Sequence, residues 1–118
     1  MTVHERQTVI DRLKAYKGQF DELLDLLENL PLQREDKAKA QHMLKTLKSS
    51  LRNDYRAGAT VVGEQQMIEV ERQYFHPAIH EAYAGIHVRW NTVPKEQWRS
   101  ELYGARISIT HMLDQLES

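Results

Sequence analysis

Residues that interrupt regular structure are rare in this chain, and they are concentrated at three places. Among 118 residues there are only 5 Gly and 3 Pro. The stretches that are expected to end regular structure are 29–31, 56–63 and 90–94. Because glycine and proline are the strongest local interruptions of helices and strands, they divide the chain into four segments of about 25 residues each.

Within each segment, apolar residues recur at the three- and four-residue spacing of a single helical face. Segment 4–29 carries a wide apolar face, and segment 33–57 carries a narrower one. The fourth segment starts at Pro94, and its apolar residues are Trp98, Leu102, Ala105, Ile109, Met112 and Leu116. No stretch shows the alternating pattern of a strand, so the sequence predicts four helices.

The third segment starts near Thr60 and contains Pro77, while its apolar stripe continues to Trp90. Proline lacks a backbone donor, and its ring collides with the carbonyl one turn earlier, so we expect a kink at Pro77. Four helices of similar length with short connections favour an antiparallel up-down bundle. We therefore expect residues 1–118 to form one all-α domain, a four-helix bundle with a Pro-kinked third helix.

Two packing details follow from this arrangement. The short connection between the last two helices predicts that Ile79 faces Ala105. Gly18, Gly85 and Gly104 fall inside predicted helices, where glycine costs about 1 kcal/mol relative to alanine. We expect these three glycines to permit close packing between helices.

Composition excludes several classes of function. The chain has no cysteine, so it forms no disulfide and offers no thiolate nucleophile. No nucleophile elbow or phosphate-binding glycine loop is present, so neither an enzyme nor a cofactor is expected. No apolar run approaches the ~20 residues that span a bilayer, and the first residues form no signal-type segment. We therefore expect no membrane partner and a cytoplasmic location.

Histidines are unusually placed in the third segment. His76, His80 and His87 share one helical face with Tyr83, because the four residues follow at steps of four, three and four. Two imidazoles four residues apart can hold one metal ion. His42 followed by His76 and His80 is similar to the ligand order of the DinB-like metal-dependent bundles, which implies a metal site at these three residues. Hydrogen-bonded or solvated histidines beside the core are the favoured interpretation.

A second resemblance involves the predicted second helix. The stretch from His42 through Lys45 to Thr46 resembles the His-x-Leu-Lys-Gly stretch of histidine phosphotransfer domains, which are also four-helix proteins. The resemblance implies that His42 accepts a phosphoryl group and that Lys45 neutralises its charge. Thr46 stands where that family has glycine and would crowd a docking receiver. The alternative is an ordinary surface histidine beside the apolar stripe.

The second helix also carries a basic ridge, although the whole chain has a formal net charge of only −1. The basic side chains of this ridge are Lys37, Lys45, Lys48, Arg52 and Arg56. Such a ridge could follow a phosphate backbone. No aromatic residue interleaves it before Tyr55, near its end, so we do not expect nucleic acid as a partner. A solvated face, or one paired with the acidic residues of 21–28, is the favoured interpretation.

Apolar residues exceed what four packed helices need to bury among themselves. Tyr103 and Ile107 lie away from the main stripe of the fourth helix. A thicker core around Pro77 or scattered exposure would explain the surplus, but surplus apolar surface usually marks an interface. The expected interface residues are Tyr83, His87, Trp90, Tyr103 and Ile107. The resulting hypothesis is a small non-enzymatic adaptor or regulatory protein that binds a protein partner, most simply as a homodimer.

Overall fold

The fold is all-α, as the sequence predicts. In a computed structural model of the chain, the described residues are 3–28, 33–60, 69–86 and 95–118. Helix α1 spans Val3–Glu28, α2 spans Arg34–Thr60, α3 spans His76–Gly85 and α4 spans Lys95–Glu117. A π-helical turn, Glu71–Phe75, directly precedes α3. These ranges contain no strand, and none of their helices is long and apolar enough to cross a membrane.

The helix contacts fit a bundle around one core. Each helix packs against its neighbour along the chain, and α1 also packs against α4. Within the described ranges, the diagonal pairs α1–α3 and α2–α4 do not approach each other closely. The largest fully buried side chains include Phe20, Leu47, Phe75, Ile79 and Trp98. All four helices or their flanking turn therefore contribute apolar area to a shared core, which is the main source of stability.

Helix α3 ends earlier than its apolar pattern predicts. The stripe continues to Trp90, but α3 ends at Gly85, and Ile86 has an extended backbone with φ −98° and ψ 93°. The Ile86 N–H donates to the Tyr83 carbonyl at 3.3 Å, which tightens the last turn. Glycine is a weak helix former, so an end at Gly85 costs little helical stability.

The packing of α3 on α4 differs accordingly from the expected register. A Cβ added to Gly85 would lie 3.8 Å from the Ala105 Cβ, so Gly85 faces the residue that was expected opposite Ile79. Six residues of helix rise about 9 Å, so the observed register is shifted from the expected one by about that distance. The inward face of α4 also differs slightly, because Leu113 is buried while Met112 is only partly buried.

Pro77 is the second residue of α3, two residues after the end of the π turn. The backbone N–H of His76 donates to the carbonyl of Glu71, five residues earlier, which is the hydrogen-bond pattern of a π-helix. In a regular α-helix the proline ring would collide with the carbonyl of Gln73. The wider turn is the local irregularity that accompanies the proline in this structure.

Gly18 and Gly104 do not bring helices close together, contrary to the expectation for them. A Cβ added at either residue would meet no atom within 4 Å. Gly18→Ala is therefore expected to raise the free energy of unfolding by about 0.5–1 kcal/mol, because alanine loses less backbone entropy on folding. Urea unfolding followed by circular dichroism measures this change. Gly85→Ala should gain less, because Gly85 is the last residue of α3 and helix propensity acts mainly in a helix interior. No gain at Gly18 would contradict the prediction.

Candidate functional site

The outer face of α4 presents an exposed isoleucine among uncharged residues. Ile107 is 65% exposed, although its side chain is apolar. The exposed positions of α4 between 97 and 111 are Gln97, Ser100, Gly104, Ile107 and His111. None of them carries a formal charge with histidine neutral, in a chain that is 28% charged. An uncharged strip around a solvent-facing aliphatic side chain is suited to contact with another protein.

Tyr103 extends this strip on the side of α1. It lies one turn before Ile107, so the two side chains share a face, and it is partly buried against the core. The Arg106 guanidinium lies 5.2 Å from the centre of the Tyr103 ring. Arg106 also donates to Asp21 of α1 at 2.6 Å, which holds the flank of the strip in place.

Asp21 is the anion that neutralises this flank. Burial opposes ionisation of its carboxyl group, but hydrogen bonds from Arg106 and Lys17 and their positive charges outweigh that effect. The pKa of Asp21 therefore lies below its usual value, and the group stays ionised in the folded protein. Arg106 is thereby paired within the bundle, so it adds no unbalanced charge beside the Ile107 strip.

Tyr83 does not lie on the same surface as Tyr103 and Ile107. Its ring stacks on Tyr55 of α2, while Gly85, two residues later, faces α4. Residues two apart in a helix point about 200° from each other, so Tyr83 lies on the α2 side of α3. The structure thus divides the described residues of the expected interface between two places. The other two expected interface residues, His87 and Trp90, lie outside the described residues.

An aromatic stack lies at the seam between α2 and α3. The Tyr55 ring is 5.4 Å from the rings of both His80 and Tyr83, with interplanar angles of 23° and 18°. Tyr55 and Tyr83 are half-buried, whereas His80 is exposed. Stacked rings of this kind tie α2 to α3, and the exposed His80 brings the stack to the surface.

Four of the five basic side chains of the α2 ridge are solvated rather than neutralised. Lys37, Lys45 and Arg52 are exposed and Lys48 is half-buried. None of these four forms an ion pair with any residue that the structure describes. Among the acidic residues of 21–28, Asp21 pairs instead with Lys17 and Arg106.

A polar network joins α1, α2 and the π turn. Asp54 accepts hydrogen bonds from the Tyr16 hydroxyl and, at 3.4 Å, from Arg12. Arg12 also lies 3.7 Å from a carboxylate oxygen of Glu71 and 3.8 Å above the centre of the Phe75 ring. Burial, followed by the hydrogen bond to Asp54, raises the pKa of the Tyr16 hydroxyl, so it remains a neutral donor. The network connects three chain segments at one end of the bundle.

His76 lies at the edge of this network, where its ring meets the Phe75 ring edge-on at 5.7 Å. Burial lowers the pKa of His76, and the neighbouring Arg12 lowers it further, against the opposing effects of Glu71 and Asp54. The neutral imidazole is therefore favoured in the folded protein. Sequence reasoning missed this network, because its members are far apart in the chain and Pro77 was the only local signal.

The structure does not bring His42 together with His76 and His80. His80 stacks on Tyr55, and His42 lies thirteen residues earlier on α2, a distance of about 20 Å along a helix. No group of three His, Asp or Glu residues in the described ranges is arranged to hold a metal ion.

His42 instead lines a shallow groove between α1 and α2, together with Gln19, Glu22, Met43 and Thr46. His42, Lys45 and Thr46 are all exposed. The exposure that a phosphoacceptor needs is therefore present, but a carboxylate, Glu22, also lines the groove. This negative charge would oppose a phosphoryl group.

Comparison of the chain with protein-family models, with curated proteins and with solved structures finds no match.

Proposed function

We propose that this protein acts through protein–protein contact, as a non-enzymatic homodimer that associates through the outer face of α4. The observation that carries the proposal is Ile107, 65% exposed at the centre of an uncharged strip. Covering an aliphatic side chain of this size removes apolar area from water and contributes about 1.5–3 kcal/mol. A two-fold contact would gain this contribution from both copies.

A second copy of the same chain fits this face for two reasons. In a two-fold contact each patch meets an identical patch, so a charged residue close to the axis would face the same charge on its own copy. The exposed positions from Ser100 to His111 avoid this repulsion because they carry no formal charge. Ser100 and Gly104 are also small, and the open space around Gly104 lets a second helix approach closely.

The proposal includes the antiparallel up-down arrangement of the bundle with a Pro-kinked third helix. Two ion pairs between α1 and α4 support it. Lys14 lies 3.6 Å from Glu117, and Asp21 lies 2.6 Å from Arg106. The later residue of α1, Asp21, pairs with the earlier residue of α4, Arg106, which is the pattern of antiparallel neighbours. The π turn before Pro77 supports the kink, since π turns and prolines are frequent causes of bent helices.

Ile107→Asp tests the proposed dimer. A carboxylate at the centre of the contact would be buried without a partner, so the dimer dissociation constant is expected to rise at least about 30-fold. Size-exclusion chromatography with light scattering over a range of protein concentrations gives this constant. The helical circular dichroism should not change, because Ile107 makes little contact with the core.

Val3→Asp is the matched control. Val3 is the other large apolar residue exposed in the described part of the chain, at 86%, and it lies at the start of α1. The same substitution there should leave the dimer intact. A wild-type protein that is monomeric at high concentration, or an Ile107→Asp variant that dimerises as well as wild type, would refute the proposal.

A further inference from the structure

The seam between α2 and α3 combines unbalanced positive charge with aromatic rings. Over 37–53, α2 carries five basic residues and no acidic residue, and all but Lys39 belong to the ridge. Lys48 and Arg52 precede Tyr55 by seven and three residues, so all three side chains lie on one side of the helix. Tyr55 in turn stacks on His80 and Tyr83 of α3. Lys48 and Arg52 therefore lead directly into the aromatic stack.

Four cations of α1 and α4 make a useful contrast. On α1 and α4, Arg12, Lys14, Lys17 and Arg106 are each paired with a carboxylate. On α2, Lys45, Lys48 and Arg52 have no such partner among the described residues. Unbalanced charge that is concentrated on one face attracts an anionic ligand despite a net charge of only −1.

We propose that this seam binds single-stranded nucleic acid, with Lys45, Lys48 and Arg52 along the phosphates and with the stack of Tyr55, His80 and Tyr83 against the bases. Proteins that bind single strands without sequence preference combine a basic track with rings on which bases stack. The sequence alone argued against nucleic acid because no aromatic residue interleaves the basic ridge before Tyr55, near its end. The structure adds two rings of α3, His80 and Tyr83, beside Tyr55.

A single strand fits better than a duplex. Bases are available for stacking only where they are unpaired, and the exposed His80 lets a base reach the stack. The basic side chains follow the length of one helix, about 24 Å over 37–53, which suits an extended backbone of a few nucleotides. This surface is separate from the proposed dimer contact on α4, so neither proposal depends on the other.

Fluorescence anisotropy with labelled oligo-dT and oligo-U of about 15 nucleotides tests the proposal on the full chain. Wild-type protein is expected to bind at least one of the two at low salt, and to lose affinity as salt rises. Three phosphate contacts on a single strand predict a slope of log K against log salt of about −2. Lys48→Glu combined with Arg52→Glu should weaken binding at least about tenfold, because two attractions become repulsions.

The matched control applies the same charge change away from the seam. Arg6→Glu combined with Lys39→Glu changes two exposed cations, one on α1 and one on the side of α2 that faces the α1–α2 groove. This pair should weaken binding much less than the seam pair. His80→Ala, which keeps every positive ridge residue, should weaken binding about fivefold through lost stacking.

Three results would overturn the proposal. The first is no binding of wild-type protein to either single strand at low salt. The second is an equal loss of affinity in the seam pair and the control pair, which would indicate general charge attraction alone. The third is tighter binding to a duplex of the same length than to either single strand. Circular dichroism of each variant confirms that it remains folded.

Discussion

Phe75→Ala is expected to lower the free energy of unfolding by about 3–5 kcal/mol, the range for large-to-small changes of a buried phenylalanine. The Phe75 side chain is fully buried, and it belongs to the π turn that precedes α3. Its removal leaves a cavity and also takes away the ring beneath the Arg12 guanidinium. Such a cation–ring contact contributes about 0.5–2 kcal/mol in addition to the buried area.

Urea unfolding of the variant, compared with Phe20→Ala, separates these contributions. Phe20 is equally buried but lies in the middle of α1, with no described cation above its ring. Phe75→Ala should therefore cost at least as much as Phe20→Ala. Phe75→Leu, which retains most of the volume, should recover much of the loss. A loss below about 1 kcal/mol for Phe75→Ala would mean that the π turn is not packed as described.

Asp54→Ala has the second largest expected effect, a loss of about 2–3 kcal/mol. The residue accepts hydrogen bonds from both Tyr16 and Arg12. Without it, the hydroxyl of the buried Tyr16 has no acceptor in the network, and Arg12 retains only Glu71 as an ion-pair partner. Arg12 and Asp54 are each about a third exposed, so the ionic part of the loss is small. Most of the cost comes from the unpaired hydroxyl.

A double-mutant cycle with Tyr16→Phe tests this partition. If the hydroxyl carries most of the effect, the loss of unfolding free energy in the double variant should be smaller than the sum of the two single losses by about 1 kcal/mol. Asp54→Asn is the conservative comparison, because it keeps an acceptor oxygen and should cost less than Asp54→Ala. Additive losses in the cycle would show that Tyr16 and Asp54 do not act together.

Much of the fold could be predicted from sequence because it depends on local periodicity. The four apolar stripes identify the helices, and residues such as Leu102 and Ile109 are buried as their spacing predicts. The end of α3 could not be predicted in this way, because the stripe continues beyond Gly85 while the helix does not. The register between α3 and α4 also differs from the expected one, because Gly85 and not Ile79 faces Ala105.

The candidate sites also differ in how far the sequence predicts them. Ile107 is exposed as predicted, because the solvent side of a helix follows directly from the spacing of its buried residues. The stack of Tyr55 on His80 and Tyr83 depends instead on how two helices are placed against each other. In the polar network, Asp54 is 38 positions from Tyr16 and 42 positions from Arg12 along the chain. Such contacts need the tertiary arrangement, which periodicity in one helix does not provide.

The diagonal position of α2 and α4 has a consequence for a protein that pairs through α4. Each copy would keep its α2–α3 seam clear of the dimer contact, so the assembly would be bivalent. One long oligonucleotide that reached both seams would experience the second seam at a high effective concentration. Strand length would then control affinity more steeply than base identity.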